Sequence, residues 1–169
     1  MLDLFCGAGG LSYGFKLANY KVKLAIELEK NYFETYKFNH PECLCINEDI
    51  TKLACEKIDD NYIKNKEIEG IIGGPPCIGF STVGNRIRND PRNMLVYYFI
   101  KWIEYFKPIF YVMENVPGIL TMGKGQVLEK IIKMYDKIGY ICNLKILLAA
   151  DYGVPQLRER VFFIGTKKG

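Results

Sequence analysis

Histidine is almost missing from this chain of 169 residues: His40 is the only one. A Ser-His or Cys-His nucleophile would depend on that single residue, just before Pro41, and is set aside. Arginine is scarce too, with 5 against 18 lysines. No apolar run approaches the roughly 20 residues that cross a bilayer, and the chain opens without a signal-peptide pattern. Low-complexity segments, internal repeats and linkers are lacking. The six cysteines (Cys6, Cys43, Cys45, Cys55, Cys77 and Cys142) are scattered through a chain long enough to build its own core. That argues for reduced thiols in a cytoplasm and against a disulfide scaffold. Cys43 and Cys45 with His40 have no matching second pair, so no metal site is expected.

What remains is a globular balance: 49% hydrophobic, 14% aromatic and 25% charged, in 19.5 kDa, enough for one domain. The net charge of +4 is mild, but the arginines are clustered, with Arg86, Arg88 and Arg92 in one group and Arg158 and Arg160 in another. In a lysine-biased chain, clustered arginines suit positions that need a planar fork, for phosphate or base edges. Two solvated basic turns would give the same pattern.

The apolar period switches repeatedly between strand and helix. Strands are predicted at Met1 to Phe5, Val22 to Ile26, Cys43 to Ile46, Gly70 to Ile72, Ile109 to Met113, Tyr140 to Leu148 and Val161 to Ile164. Helices are predicted at Leu11 to Leu17, Asn31 to Phe38, Arg92 to Phe106 and Gln126 to Ile138. Asp90-Pro91 starts the third of these and Gly139 closes the last. Between Met94 and Phe106 only Lys101 and Glu104 are charged. Such a helix should be buried by sheet on one side and by something else on the other. The alternation predicts an α/β fold, a doubly wound, mainly parallel sheet with helices on both faces.

In open α/β sheets, ligands bind beyond the carboxyl ends of the strands. Four segments fall there: the loop of Gly7, Gly9 and Gly10, then Glu27, then Pro75-Pro76-Cys77, then Glu114-Asn115. Glycines let backbone approach a ligand, and Glu27 stands near the spacing at which an acid reaches ribose hydroxyls. A tight turn beside a surface glutamate is the plainer account. Cys77 follows two stiffening prolines and could be a nucleophile if nearby positive charge lowers its pKa. Taken alone, it would more often be structural. Glu114 ends an apolar strand, where a carboxyl can hold its proton and act as an acid, or be satisfied by turn amides ahead of Pro117.

Together these segments resemble the cytosine-5 methyltransferase family. The matching motifs are DLFCGAGG at Asp3 to Gly10, Glu27, Asp49, GGPPCIGFS at Gly73 to Ser81, ENVPG at Glu114 to Gly118, and DYGVPQLRERVFFIG at Asp151 to Gly165. The resemblance implies a Rossmann-like domain over residues 1–169 that binds S-adenosylmethionine and methylates C5 of cytosine in double-stranded DNA. Phe5, Gly7 and Gly9 would cradle the cofactor with Pro75 beside it; Glu27 would take its ribose and Asp49 with Ile50 its adenine. Cys77 would attack C6 of a flipped-out cytosine and Glu114 would donate to N3. Arg158 and Arg160 would hold the base oxygen and backbone. Ser81, Arg86 and Arg88, in the loop from Ser81 to Arg92, would face the nucleic acid. The same resemblance places the protein in the cytoplasm, on the nucleoid in a prokaryote, and within the enzyme class that includes restriction-modification systems.

Two departures stand out. Ile78 occupies a position where the family usually carries glutamine. The chain also ends at Gly169, directly after the last catalytic-half motif, whereas the family continues with a target-recognition region and a final helix. The expectation is a fragment, or a chain completed by a second polypeptide. An exposed apolar patch is expected beside the first strand and the Arg92–Phe106 helix. Two other functions fit less well: a tRNA-methylating enzyme, whose Cys-Phe-Thr signature is not found, and a non-catalytic cofactor-binding module.

Overall fold

The computed structural model of the protein describes residues 1–76 and 95–169. Among these, seven strands form one sheet in the order β3-β2-β1-β4-β5-β7-β6. They are β1 (Leu2–Leu4), β2 (Leu24–Glu27), β3 (Leu44–Asn47), β4 (Gly70–Gly73), β5 (Phe110–Asn115), β6 (Tyr140–Leu148) and β7 (Glu159–Lys167). β1 to β5 are mutually parallel, and β7 runs antiparallel to both β5 and β6. Helices α1 (Gly10–Leu17) and α2 (Lys30–Asn39) pack on one face; α3 (Cys55–Ile58), α4 (Leu95–Phe106) and α5 (Gln126–Lys137) pack on the other. This is the doubly wound arrangement expected from the alternating periods. The strand order reverses direction between β1 and β4, which opens a crevice beyond their carboxyl ends.

The larger core lies under α4 and α5. Leu2, Leu4 and Ile71 meet Phe99, Trp102, Ile103 and Phe106 there, and the Tyr111 and Tyr135 rings stack at 4.2 Å. Close approach of β4 to β1 depends on Gly73, where a Cβ would overlap the Leu4 carbonyl oxygen and stand 3.0 Å from the Phe99 ring. The smaller core, on the opposite face, gathers Met1, Val22, Ile72 and Val112 beneath Leu11 and Phe15.

The apolar helix is covered on both sides. Residues 50–63 form a 3₁₀ turn (Ile50–Lys52), α3 and a π turn (Asp59–Ile63), and this short-range material packs over α4. The expectation of an exposed patch beside that helix is therefore corrected. None of the described residues of α4 is a large exposed hydrophobic; those on the sheet are Leu44 on β3, Ile141, Leu144 and Ile146 on β6, and Ile164 on β7, away from β1. Register puts Ile141 and Ile164 on the face of Val112, and Leu44, Leu144 and Ile146 on the face of Leu24, Phe163 and Val161. No helix among the described residues is long and apolar enough to cross a membrane.

Candidate active site

At the crevice lies a cavity of about 600 Å³. One wall is the turn after β1, contributing Asp3, Phe5, Cys6, Gly7, Gly10 and Leu11. Gly74 and Glu114 form the floor between halves, and Leu147, Ala149, Tyr152, Arg158, Arg160 and Phe162 close the far side. Because β7 runs against its neighbours, its first residues rather than its last reach this rim. Arg158 and Arg160 thereby meet residues that end the parallel strands.

The glycine wall is tightly held. Phe5 adopts φ +61°, an uncommon conformation for a bulky residue that persists only where the surroundings impose it. Glu27 is buried, and its two oxygens accept from the N–H of Gly7 at 2.8 Å and of Glu29 at 2.9 Å. Asp3 is fully buried and lines the cavity. Its Oδ2 accepts from Ser12 Oγ at 2.5 Å, while Oδ1 has no partner among the described residues. Burial pushes its carboxyl up to about 7, and the nearby Glu27 charge adds to the rise, against the pull of the Ser12 hydrogen bond.

On the other side, Glu114 Oε1 lies 2.8 Å from Nε of Arg160. Glu114 pairs with Phe162 across the ladder, so Arg160 is its diagonal neighbour on the same face. Burial raises the Glu114 carboxyl above its ordinary value, outweighing the pull of Arg160 and then Arg158. The turn-amide alternative is replaced by this arginine pair. Next along β5, Asn115 Nδ2 donates to the Pro75 carbonyl at 3.0 Å, and its Oδ1 accepts from Val116 N–H at 2.9 Å. The Pro75 turn is thus tied to the strand that carries the acid. A Cβ at Gly74 would stand 3.3 Å from Glu114 Oε2, so backbone and carboxyl are in close contact there.

Of the residues singled out in the sequence, Phe5, Gly7, Glu114, Arg158 and Arg160 share the cavity. Gly9, Glu27 and Pro75 are not among its lining residues, though Glu27 accepts from the Gly7 N–H and the Pro75 carbonyl accepts from Asn115. Asp49 and Ile50 lie beyond the end of β3, where Asp49 caps the 3₁₀ turn by accepting from Thr51 N–H and Oγ1 at 2.9 and 2.8 Å, and Ile50 is buried. Cys77, Ile78, Ser81, Arg86 and Arg88 lie outside the described residues. Sequence reasoning put Asn115 at the rim beside Glu114 without a role, and missed Asp3 and the apolar wall of Leu147, Tyr152 and Phe162. Asp3, Tyr152 and Phe162 lie inside the quoted motifs, which could have marked them; Leu147 carries no such signal.

Known proteins share this fold. The chain is 48% identical over 170 residues to the Type II methyltransferase M.DdeI of Desulfomicrobium norvegicum, covering 99% of this chain and 40% of that protein. It is 38% identical to the Type II methyltransferase M.AquIA of a Picosynechococcus strain, covering 100% of this chain and 72% of that one. Among solved structures, a DNA modification methyltransferase encoded within an E. coli prophage superposes with a TM-score of 0.86 at 37% identity, over 98% of this chain and 46% of that chain. Dnmt2 methyltransferase of S. pombe gives 0.75 at 25% identity, over 99% and 51%. The chain spans less than half the length of most of the curated relatives it matches. The family model described as C-5 cytosine-specific DNA methylase matches residues 1–169, and the chain belongs to that family.

Proposed function

We propose that this chain is the catalytic portion of an enzyme that methylates C5 of cytosine in double-stranded DNA, with S-adenosylmethionine as methyl donor. One observation carries the reading: a single cavity joins a glycine turn bearing the orphaned Asp3 oxygen to a raised-pKa carboxyl paired with arginine. Its volume is in the range of cofactor sites. The residues fit the cofactor's groups. The unpartnered Asp3 oxygen suits an ammonium, Glu27 keeps lone pairs for ribose hydroxyls, and Asp49 with Ile50 borders the adenine end. When bound, S-adenosylmethionine supplies an electrophilic methyl group on its sulfonium.

The chain's own residues divide the remaining work. Cys77 follows Gly74, whose backbone meets Glu114, by three residues in the sequence. Its thiolate adds to C6 of the extruded cytosine while the protonated Glu114 donates to N3, and the electron pair this leaves at C5 makes that carbon nucleophilic. Once C5 carries the methyl group, its proton passes to solvent, that electron pair re-forms the C5–C6 double bond as the C6–S bond breaks to release the thiolate, and N3 returns its proton to Glu114. Arg160 orients Glu114, and Arg158 offers its fork to the base oxygen or backbone. Arg86, Arg88 and Ser81 are assigned to the nucleic acid.

The test is a duplex carrying 5-fluorocytosine, offered with S-adenosylmethionine and, in a parallel arm, with a candidate partner chain. Fluorine cannot leave C5 as a proton does, so a denaturant-stable adduct is expected, lost in Cys77→Ser. Cofactor binding with no adduct in either arm would reduce the chain to a binding module. An adduct on tRNA but not on the duplex would move the substrate to RNA.

A further inference from the structure

His40, the chain's only histidine, is 3% exposed and belongs to none of the chemistry above. Its Nε2 lies 2.9 Å from the Gly9 carbonyl oxygen, which can only accept, so the bond fixes a proton on Nε2. That carbonyl also accepts the first helical bond of α1, from Tyr13 N–H at 2.8 Å. One residue earlier, the Ala8 carbonyl accepts from Asn39 Nδ2 at 2.8 Å. Both clamping residues sit at the C-terminal end of α2, where the Tyr36 hydroxyl shares a 2.8 Å hydrogen bond with Ser12 and the Tyr36 ring lies 4.6 Å from that of His40, tilted by 35°. A Cβ at Gly9 would overlap the His40 ring, so the two surfaces are in full contact.

We infer that Asn39 and His40 are positioning residues for the cofactor, acting through the Gly7–Gly10 turn that they hold from behind. The peptide unit is planar and trans, so a carbonyl and the following N–H point in opposite directions. Drawing the Gly9 carbonyl toward α2 aims the Gly10 N–H out of the amino end of α1, and Gly10 lines the cavity. A fixed N–H at that place suits an anion. With the unpartnered Asp3 oxygen in the same wall, the turn presents a donor and an acceptor together. That pairing matches the zwitterionic end of an amino acid, carboxylate and ammonium. The inference rests on the cofactor reading proposed above.

The experiment compares two ligands by calorimetry on the 169-residue chain, S-adenosylhomocysteine and adenosine, which lacks the amino-acid end. Loss of one clamping hydrogen bond, in Asn39→Ala or His40→Ala, should weaken S-adenosylhomocysteine about tenfold and leave adenosine nearly unchanged. His40→Gln, which keeps an N–H within reach of Gly9, should recover most of the affinity. Asn39 is exposed, so its variant keeps the test alive if His40→Ala fails to fold. Equal losses for both ligands, or wild-type affinity in a folded Asn39→Ala, would overturn the clamp. If the unmodified chain bound neither ligand, the cofactor reading itself would fail and take the clamp with it.

Discussion

Glu114 and Arg160 meet at 2.8 Å on adjacent antiparallel strands, yet the carboxyl keeps a raised pKa because burial outweighs the arginine. An acid so placed is active only while protonated, and its contribution falls as pH rises through its own pKa. Glu114→Gln should retain cofactor binding and lose about 10²- to 10⁴-fold in turnover. Arg160→Gln removes a charge that favours the carboxylate, so the Glu114 titration should move to higher pH still. Carboxyl NMR of the two proteins checks this without any assay of methylation; an unmoved or lowered midpoint would contradict it.

Asp3 gives a second pH signature. Its folded value of about 7 lies above its ordinary 3.8, so its contribution to stability is fully present below about 4 and is lost as pH rises through about 7. Urea midpoints should therefore fall between those limits in the unmodified chain relative to Asp3→Asn. A cationic group brought to Oδ1 favours the carboxylate and should release a proton on binding near pH 7. Calorimetry in buffers of different ionisation enthalpy reads that proton, and Asp3→Asn should abolish it.

Gly9 combines φ +94° with a tight contact to His40. Gly9→Ala should destabilise the chain by about 1–3 kcal/mol from backbone strain alone, with the steric overlap adding to it. In the double variant with His40→Ala the overlap disappears but the strain stays. The two losses should then be non-additive by about 0.5–3 kcal/mol in denaturant unfolding. Strict additivity would mean the ring and the turn do not press on each other.

Asn115 holds the Pro75 carbonyl, which leads to Cys77. Asn115→Ala leaves that carbonyl without its partner, at a cost of about 1–3 kcal/mol. Adduct formation with 5-fluorocytosine DNA should slow while cofactor affinity is preserved. Equal damage to both would make Asn115 a general support of the sheet.

Much of this was legible in the sequence because sheet strands and amphipathic helices leave periods that apolar residues must obey. Tyr140–Leu148 appears as a strand with the bounds predicted, and β5 starts one residue later than predicted and extends to Asn115. Residues 51–69 left no such period: a 3₁₀ turn, a four-residue helix and a π turn are too short to show one. Their packing over α4 is what misplaced the apolar patch. Strand direction is likewise unwritten in period, so the reversal of β7 was not foreseen. Glu114 stood out because a carboxyl ending an apolar strand is costly. Asn39 and His40 did not, since their partners are backbone carbonyls, which look alike in any sequence.

The two walls of the cavity come from different parts of the chain, on either side of β4. Their separation is set at residue 73, where β4 presents a hydrogen atom to the Leu4 carbonyl. Gly73→Ala would wedge β1 away from β4 and widen the cavity between its two walls. The span of the cavity is thus governed from the sheet below, by a residue with no side chain.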